Sequence, residues 1–341
     1  MLGQHSGYVP SQAERLSAFL GTIGYKVSLV STQIGRYRRF ADIVSTLVRN
    51  GHSIDVQMLQ VFAGPSFLVE DVASWIGRRT DQRIVMILRG GSLPTFLARY
   101  PRWGRRVLSR ADAIVAPSPY LARTMESHGL RATVIPNVID IEAYPYHQRS
   151  ELRPHLLWMR TFHPIYNPEM AVRVLARLQR VIPEATLVMA GQEKGQQAAV
   201  QRLACELGVG DTIRFPGFLG MDDKFRAGTA ADIFLNTNRV DNMPVSVIEA
   251  CAMGLPVVAT SVGGVPDLLT DGETGLLVPD DDDAMMAARV IELLRNPVLA
   301  SRLSANGRQL AERSSWNSVK GQWEQLLCNL QVSPKSKGGV R

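Results

Sequence analysis

The sequence predicts an α/β protein of two doubly wound, Rossmann-like domains facing each other across a cleft. Three observations carry this expectation. Helical and strand-like hydrophobic periodicities alternate along the chain, as they do where helices cover both faces of a parallel sheet. The 341 residues are enough for two domains, each with its own core. A polar stretch at 144–154, with Pro145 and Pro154 and no periodicity, reads as the linker between them.

In the first half, Leu16, Phe19, Leu20 and Ile23 recur at helical spacing, Gly24 ends that helix, and 26–30 reads as a strand. Phe40, Val44, Leu47 and Val48 then share a helical face, and Ile54, Val56 and Met58 mark the next strand. A helix at 67–76 leads into a strand at 84–88, and a helix at 93–108 into a strand at 113–116. Residues 133–135 and the turn Pro136-Asn137 close the domain. Such a domain normally opens on a buried strand, yet only Met1-Leu2 precede the loop at 3–10, so the first strand is expected to be shortened or the start codon late.

The second half reads as strands at 156–159, 186–189, 212–215, 232–235 and 256–259, alternating with helices at 168–181, 197–207, 222–227 and 245–253. Further helices follow to about residue 312. A last helix at 316–330 carries Trp316, Val319, Trp323, Leu326 and Leu327 as an apolar stripe, and the tail at 333–341 has nothing to bury.

Composition excludes several classes. With 45% hydrophobic and 20% charged residues the chain is not a disordered one. No apolar run approaches the ~18 residues of a membrane span, and no signal-like segment opens the chain, so a cytoplasmic location is expected. Cys205, Cys251 and Cys328 are scattered and read as buried, reduced thiols. Residues 1–150 hold 18 Lys+Arg against 10 Asp+Glu, whereas the remainder is close to neutral. A basic half of this kind suits an anionic acceptor or peripheral contact with the inner face of a membrane. Nucleic acid is not expected, because the arginines are not interleaved with aromatic residues.

The chemistry concentrates at 236–279. Pro244 reads as the first helical position, so the helix at 245–253 aims its open amides and positive end at the loop 238–243, a natural seat for a diphosphate. Asp241 and Glu249 lie eight positions apart, where two carboxylates can hold sugar hydroxyls and a ribose diol at opposite sides of one phosphate site. The same two acids also suit a turn cap and a pair with a neighbouring side chain. The paired glycines Gly263-Gly264 after an apolar strand allow close backbone approach to a ligand. Neither a dinucleotide fingerprint nor a Gly-Lys-Ser/Thr phosphate loop is present.

The stretch from Val240 to Thr260, with Gly263-Gly264 and Asp271-Gly-Glu-Thr-Gly-Leu-Leu-Val-Pro279, closely resembles the donor site of family 4 glycosyltransferases. These are retaining enzymes of the GT-B fold with an acid-x7-acid motif. The resemblance implies an acceptor-side domain at 1–147, a nucleotide-sugar domain at 148–312 and a helix at 313–332 that packs back on the first domain, ahead of a disordered tail. It implies that Asp241 holds sugar hydroxyls, Glu249 the ribose, and Arg160 the donor phosphates. Asn242, Met243, Pro244, Val245, Gly263, Gly264 and Phe218 line the donor. The family's companion Lys is missing where Ile165, Tyr166 and Asn167 stand, and His163 is the nearby substitute donor. The family's Gly-rich acceptor loop is reduced to Gly7, and Arg89 replaces a His that faces the reacting sugar. Pro136-Asn137-Val138-Ile139-Asp140 resembles the family's junction motif, with Val138 for Gly.

The implied reaction moves a sugar from a UDP-, GDP- or other nucleotide-sugar to a hydroxyl of a glycan, glycolipid or small molecule, as in cell-surface polysaccharide synthesis. The departing phosphate takes the acceptor proton, and no metal or further cofactor is needed. The acidic run at 280–283 reads as solvated acids at a helix start. A nucleotide-sugar epimerase and a catalytically silent GT-B binding or scaffold protein are the alternatives.

Overall fold

A computed structural model describes residues 11–331, which form two compact units. The expectations for the opening strand at 1–10 and for the tail at 333–341 lie outside the described residues. The first unit comprises the described residues to Val138 together with those from Trp316 onward, and the second spans Ile139–Ser315.

The first unit runs α1 (Gln12–Thr22), α2 (Arg36–Asn50), β1 (Val56–Val61), α3 (Phe67–Arg79), β2 (Arg83–Leu88), α4 (Leu93–Arg99), α5 (Pro101–Leu108), β3 (Ala113–Ala116), α6 (Pro119–Ser127) and β4 (Thr133–Val134). Its parallel sheet has the order β1-β2-β3-β4. Strand β2 shows why it is central: Ile84, Met86 and Leu88 pack with Phe67, Leu93, Leu97 and Leu121. The alternate Val85 and Ile87 pack with Leu16 and Leu20 of α1. Helix α1 starts where it does because Ser11 and Glu14 form a reciprocal capping box.

Two expectations for this unit are corrected, and one helix is added. Residues 26–30 are not a strand: Val27 and Leu29, which an extended segment would place on one face, are both exposed, so that apolar face has no layer to bury it. The single helix at 93–108 is two, because the ring of Pro101 pushes Tyr100 out of helical geometry and starts α5 afresh. Helix α6 went unread, although Ser118-Pro119 supplies both an N-cap that accepts from the Leu121 amide and a proline in the first turn.

The second unit runs β5 (His155–Met159), α7 (Pro168–Gln179), β6 (Thr186–Ala190), α8 (Gln197–Glu206), β7 (Ile213–Gly217), α9 (Met221–Ala230), β8 (Ile233–Asn236), α10 (Val245–Ala252), β9 (Val257–Thr260), α11 (Val265–Leu268), β10 (Leu276–Val278), α12 (Asp283–Arg295) and α13 (Pro297–Glu312). Its six strands are parallel in the order β10-β9-β8-β5-β6-β7. Leu156 and Trp158 of β5 face the cluster built on α7 and α12, and Leu157 and Met159 face the one built on α10. The last helix, α14 (Trp316–Gln331), buries Val319, Trp323, Leu326 and Leu327 in the first unit, in the cluster that holds Leu16, Val85 and Val115.

The polar stretch read as a linker is anchored. Arg149 is buried, and its guanidinium donates to the carbonyls of His147, Gly228, Ala231 and Met253 at 2.7–3.2 Å. Gly228 and Ala231 end α9, and Met253 ends α10, so one cation meets the negative ends of two helices. Of the thiols, Cys251 is buried, while Cys205 and Cys328 are exposed, contrary to expectation.

Glu70 of α3 is a buried acid in the first unit. Burial pushes its carboxyl up to about 8, against the opposing hydrogen bond from the Phe62 amide. The folded chain therefore keeps this proton where the unfolded chain has lost it, and stability falls as pH rises between the ordinary value of 4.5 and about 8. Glu70→Gln is expected to flatten that slope and raise the melting temperature at alkaline pH. Thermal unfolding followed from about pH 5 to about pH 9 checks it; a slope identical to the parent's would contradict the assignment.

Candidate functional site

In the second unit the chain runs from β5 outward through β6 and β7, then returns to lay β8 on the other side of β5. The strand order therefore reverses between β5 and β8, and the carboxyl ends of these two strands border the crevice where such sheets bind ligands. Arg160 follows β5, and the loop 237–243 follows β8.

These two segments meet side chain to side chain. Arg160 Nη2 pairs with Asp241 Oδ2, and its Nε lies 3.4 Å from Asn238 Oδ1. Its guanidinium sits 4.3 Å above the Tyr166 ring. Asn238 Nδ2 donates to the same Asp241 oxygen at 2.7 Å, while Asp241 Oδ1 accepts the amides of Asn242 and Met243 at 2.8 and 3.2 Å. Asp241 is thus a turn cap as well as an ion-pair partner. It is buried, as are Asn238, Asn242 and Met243. A short relay fixes the floor: Trp158 Nε1 donates to Thr237 Oγ1 at 2.9 Å, and that hydroxyl donates to the Tyr166 carbonyl at 2.8 Å.

Pro244 stands one position earlier than expected, at the N-cap of α10 rather than its first residue, and no side chain caps the helix. The open amide end beginning at Val245 faces back toward the loop, the arrangement that favours anions. Two buried polar side chains lie here without a hydrogen-bond partner, Asn236 at the end of β8 and the hydroxyl of Ser246 in the first turn of α10. Gly263 and Gly264 lie against the backbone of this loop: a Cβ on either would overlap the carbonyl of Asp241 or Asn242 respectively. The Gly264 amide donates to the Asp241 carbonyl at 3.0 Å. The close approach that the glycines permit is therefore to the loop that carries Asp241.

Glu249, in the body of α10, is 4% exposed. Tyr144 Oη donates to its Oε1 and Lys224 Nζ pairs with its Oε2, both at 2.7 Å. Lys224, on α9, is itself buried. Sequence reasoning did not find Lys224 or Tyr144, since no spacing rule links them to the motif, and it gave Asn238 and Tyr166 no role beyond their place in the loop 238–243 and in the segment without the family's Lys.

His163 accepts the Ile165 amide on Nδ1 at 3.3 Å and so caps the short turn 164–166. Phe218 follows β7 and is half-buried. Gly7 lies outside the described residues. Arg89, in the first unit, follows β2, where its Nε donates to Gln60 Oε1 at 2.7 Å and its Nη1 to Asn137 Oδ1. Burial pulls its guanidinium down to about 10, which leaves it charged at neutral pH. The acids at 280–283 are more engaged than expected. Asp281 pairs with Arg173 and Arg239, Asp283 with Arg173 and Arg177, and Asp282 caps α12 through the Met285 amide. Among the described residues no group of three or more His, Cys, Asp or Glu side chains forms a metal-holding cluster, and no helix is long and apolar enough to cross a membrane.

Gly263 has φ +55 in the left-handed region, where an L side chain costs about 1–2 kcal/mol before any overlap. Gly263→Ala is expected to lower stability by at least about that much and to displace Asp241. Calorimetric unfolding tests this, and an unchanged melting temperature would show that the loop yields freely.

Residues 146–310 match the family model of group 1 glycosyl transferases, and residues 72–143 match that of glycosyltransferase family 4. The D-inositol 3-phosphate glycosyltransferase of Streptomyces avermitilis is 26% identical over 236 residues, which cover 63% of this chain and 51% of that protein. The GDP-mannose-dependent alpha-(1-6)-phosphatidylinositol monomannoside mannosyltransferase of Mycolicibacterium smegmatis is 28% identical over 287 residues, 78% of this chain and 74% of the relative. The chain thus spans about half the length of the first relative and about three quarters of the second. Sucrose-phosphate synthase from Thermosynechococcus elongatus superposes with a TM-score of 0.77 at 19% identity, over 94% of this chain and 93% of that one. Anabaena HepE in complex with UDP-glucose gives 0.72 at 19% identity, over 92% and 89%. With two sheet-bearing α/β units, two family matches and these likenesses, the chain is a protein of the GT-B fold related to the group 1 and family 4 glycosyltransferases.

Proposed function

We propose that this chain transfers a sugar from a nucleoside-diphosphate sugar to a hydroxyl acceptor, with retention of anomeric configuration and without a metal. The observation that carries the reading is the Arg160–Asp241 pair beside the uncapped start of α10, at the point where the strand order reverses. A diphosphate placed there meets open amides and a guanidinium, and the hydroxyls of its sugar meet a carboxylate.

In the reaction, the acceptor oxygen forms a bond to the anomeric carbon on the face from which the diphosphate leaves, and the bond from that carbon to the phosphate oxygen breaks. The acceptor proton passes to the departing phosphate oxygen. Negative charge grows on the phosphate, where amides held in place and the planar fork of Arg160 stabilise it better than water does. Arg160 is shared: its contact with Asp241 loosens as the phosphate arrives, and Asp241 turns to the sugar. Asn242, Met243, Val245 and the turn Gly263-Gly264 shape this end of the site, and Phe218 lies toward the base.

The relatives' names support both UDP and GDP donors, one being a GDP-mannose-dependent enzyme and one structure holding UDP-glucose. The phosphatidylinositol glycoside in the Mycolicibacterium enzyme's name supports an anionic, lipid-linked acceptor, as does the basic first half of the chain. Arg89 then acts by charge rather than as a base. A silent scaffold protein that binds no donor is favoured by one observation: both acids already have partners in the free chain.

Calorimetric titration with UDP-, GDP-, ADP- and TDP-sugars separates these readings, comparing the parent with Glu249→Gln, which keeps the volume beside Lys224. Micromolar binding of one donor, weakened about tenfold or more by the substitution, is the expected result. Absence of binding by a folded parent would favour the silent protein.

A further inference from the structure

We infer that Tyr144 and Lys224 act as a two-donor clamp that fixes the Glu249 carboxylate for the vicinal hydroxyls of a ribose, making the site selective for ribonucleoside over 2′-deoxyribonucleoside diphosphates. This deepens the donor-site reading above and rests on it. Glu249 lies within an apolar cluster that includes Val247, Ile248, Phe234 and Met253. A carboxylate in such surroundings is held ionised only by charge and hydrogen bonds supplied nearby. Both are present, from two different elements: Tyr144 reaches Oε1 from the segment before β5, and Lys224 reaches Oε2 from α9, each at 2.7 Å.

The clamp is itself fixed. The Tyr144 ring stands edge-on to Phe225, with centroids 5.3 Å apart and planes at 75°. Phe225 adjoins Lys224 in sequence, so one stretch of α9 sets the position of both donors. Donors on different oxygens define the plane of the carboxylate. An ionised carboxylate offers about four acceptor sites, and a bond to each oxygen orients it. A buried ion pair generally adds no stability over apolar residues of equal volume. What the pair does here is orient the Glu249 carboxylate. Tyr144 and Lys224 are positioning residues in this scheme, and Glu249 is the group that meets the ligand.

The test is calorimetric titration of the full chain with UDP, GDP and their 2′-deoxy counterparts, using the parent, Tyr144→Phe, Lys224→Met and Lys224→Arg. The parent is expected to bind its preferred ribonucleotide about tenfold more tightly than the deoxy form. Tyr144→Phe keeps the ring against Phe225 and removes only the hydroxyl. It should reduce that ratio to about threefold, by weakening the ribonucleotide alone. Lys224→Met should bring the ratio close to one, and Lys224→Arg should restore part of it. If Lys224→Met fails to fold, Tyr144→Phe decides. A parent that binds with no ribose preference, or folded variants that keep the parent's ratio, would overturn the clamp while leaving the donor site standing. A folded parent that binds no nucleoside diphosphate would overturn both.

Discussion

Arg160 and Asp241 are 81 positions apart in the chain and meet because β5 and β8 are neighbours in the sheet. That adjacency exists because the chain lays β6 and β7 on one side of β5 and then reverses. The other parts of the candidate site are arranged around that meeting point. The loop after β8 must bury Asn238, Asp241 and Asn242 at the reversal, and it does so by satisfying them with one another, with Arg160 and with its own amides. The helix after the loop then begins at Pro244 with no side chain covering its amides. The glycines after β9 let the next turn lie on the loop's backbone. The reversal is what brings Arg160 to them.

Burying charge so close to a helix end is costly, and the second unit meets that cost by pairing. Arg149 spends its donors on helix-end carbonyls, Lys224 is matched to Glu249, and Arg160 is divided between Asp241, Asn238 and the face of Tyr166. The first unit handles its two adjacent acids differently. Asp71 receives Arg106, Arg110 and the Trp103 indole, and these hold its carboxyl below the ordinary range despite the opposing effect of burial, the largest single influence. Glu70, next to it, faces the interior with an amide hydrogen bond and no cation, and is driven the other way.

Much of this architecture is legible in the sequence because the central strands are buried on both faces and read as unbroken apolar runs. Ile84 to Leu88 and Leu156 to Met159 are of that kind. Residues 26–30 instead interleave Lys26 and Ser28 with Val27, Leu29 and Val30, and periodicity carries no information about whether a neighbouring layer exists to cover a segment. The candidate site was legible where its residues lie close in sequence, as Asp241, Glu249, Gly263 and Gly264 do. Lys224 and Tyr144 escaped because their relation to Glu249 is made by packing: one sits on the preceding helix, the other in a stretch whose prolines suggested a free linker. The sequence offers the second acid at 249 as a ligand contact or as half of a local pair, and its surroundings supply the pair, with Lys224 and Tyr144.

Helix α14 completes the first unit although it is the last described element of the chain. The order of synthesis therefore differs from the order of completion. During translation the whole second unit, from Ile139 to Ser315, emerges before Val319, Trp323 and Leu327 can cover the face of the first sheet that carries Val85, Ile87 and Val115. For that interval the earlier half of the protein is an open-faced sheet with α1 as its partial cover, and its apolar side is exposed to chaperones or to other nascent chains. Loss of the C-terminal helix would make this condition permanent and would injure the half of the molecule made first.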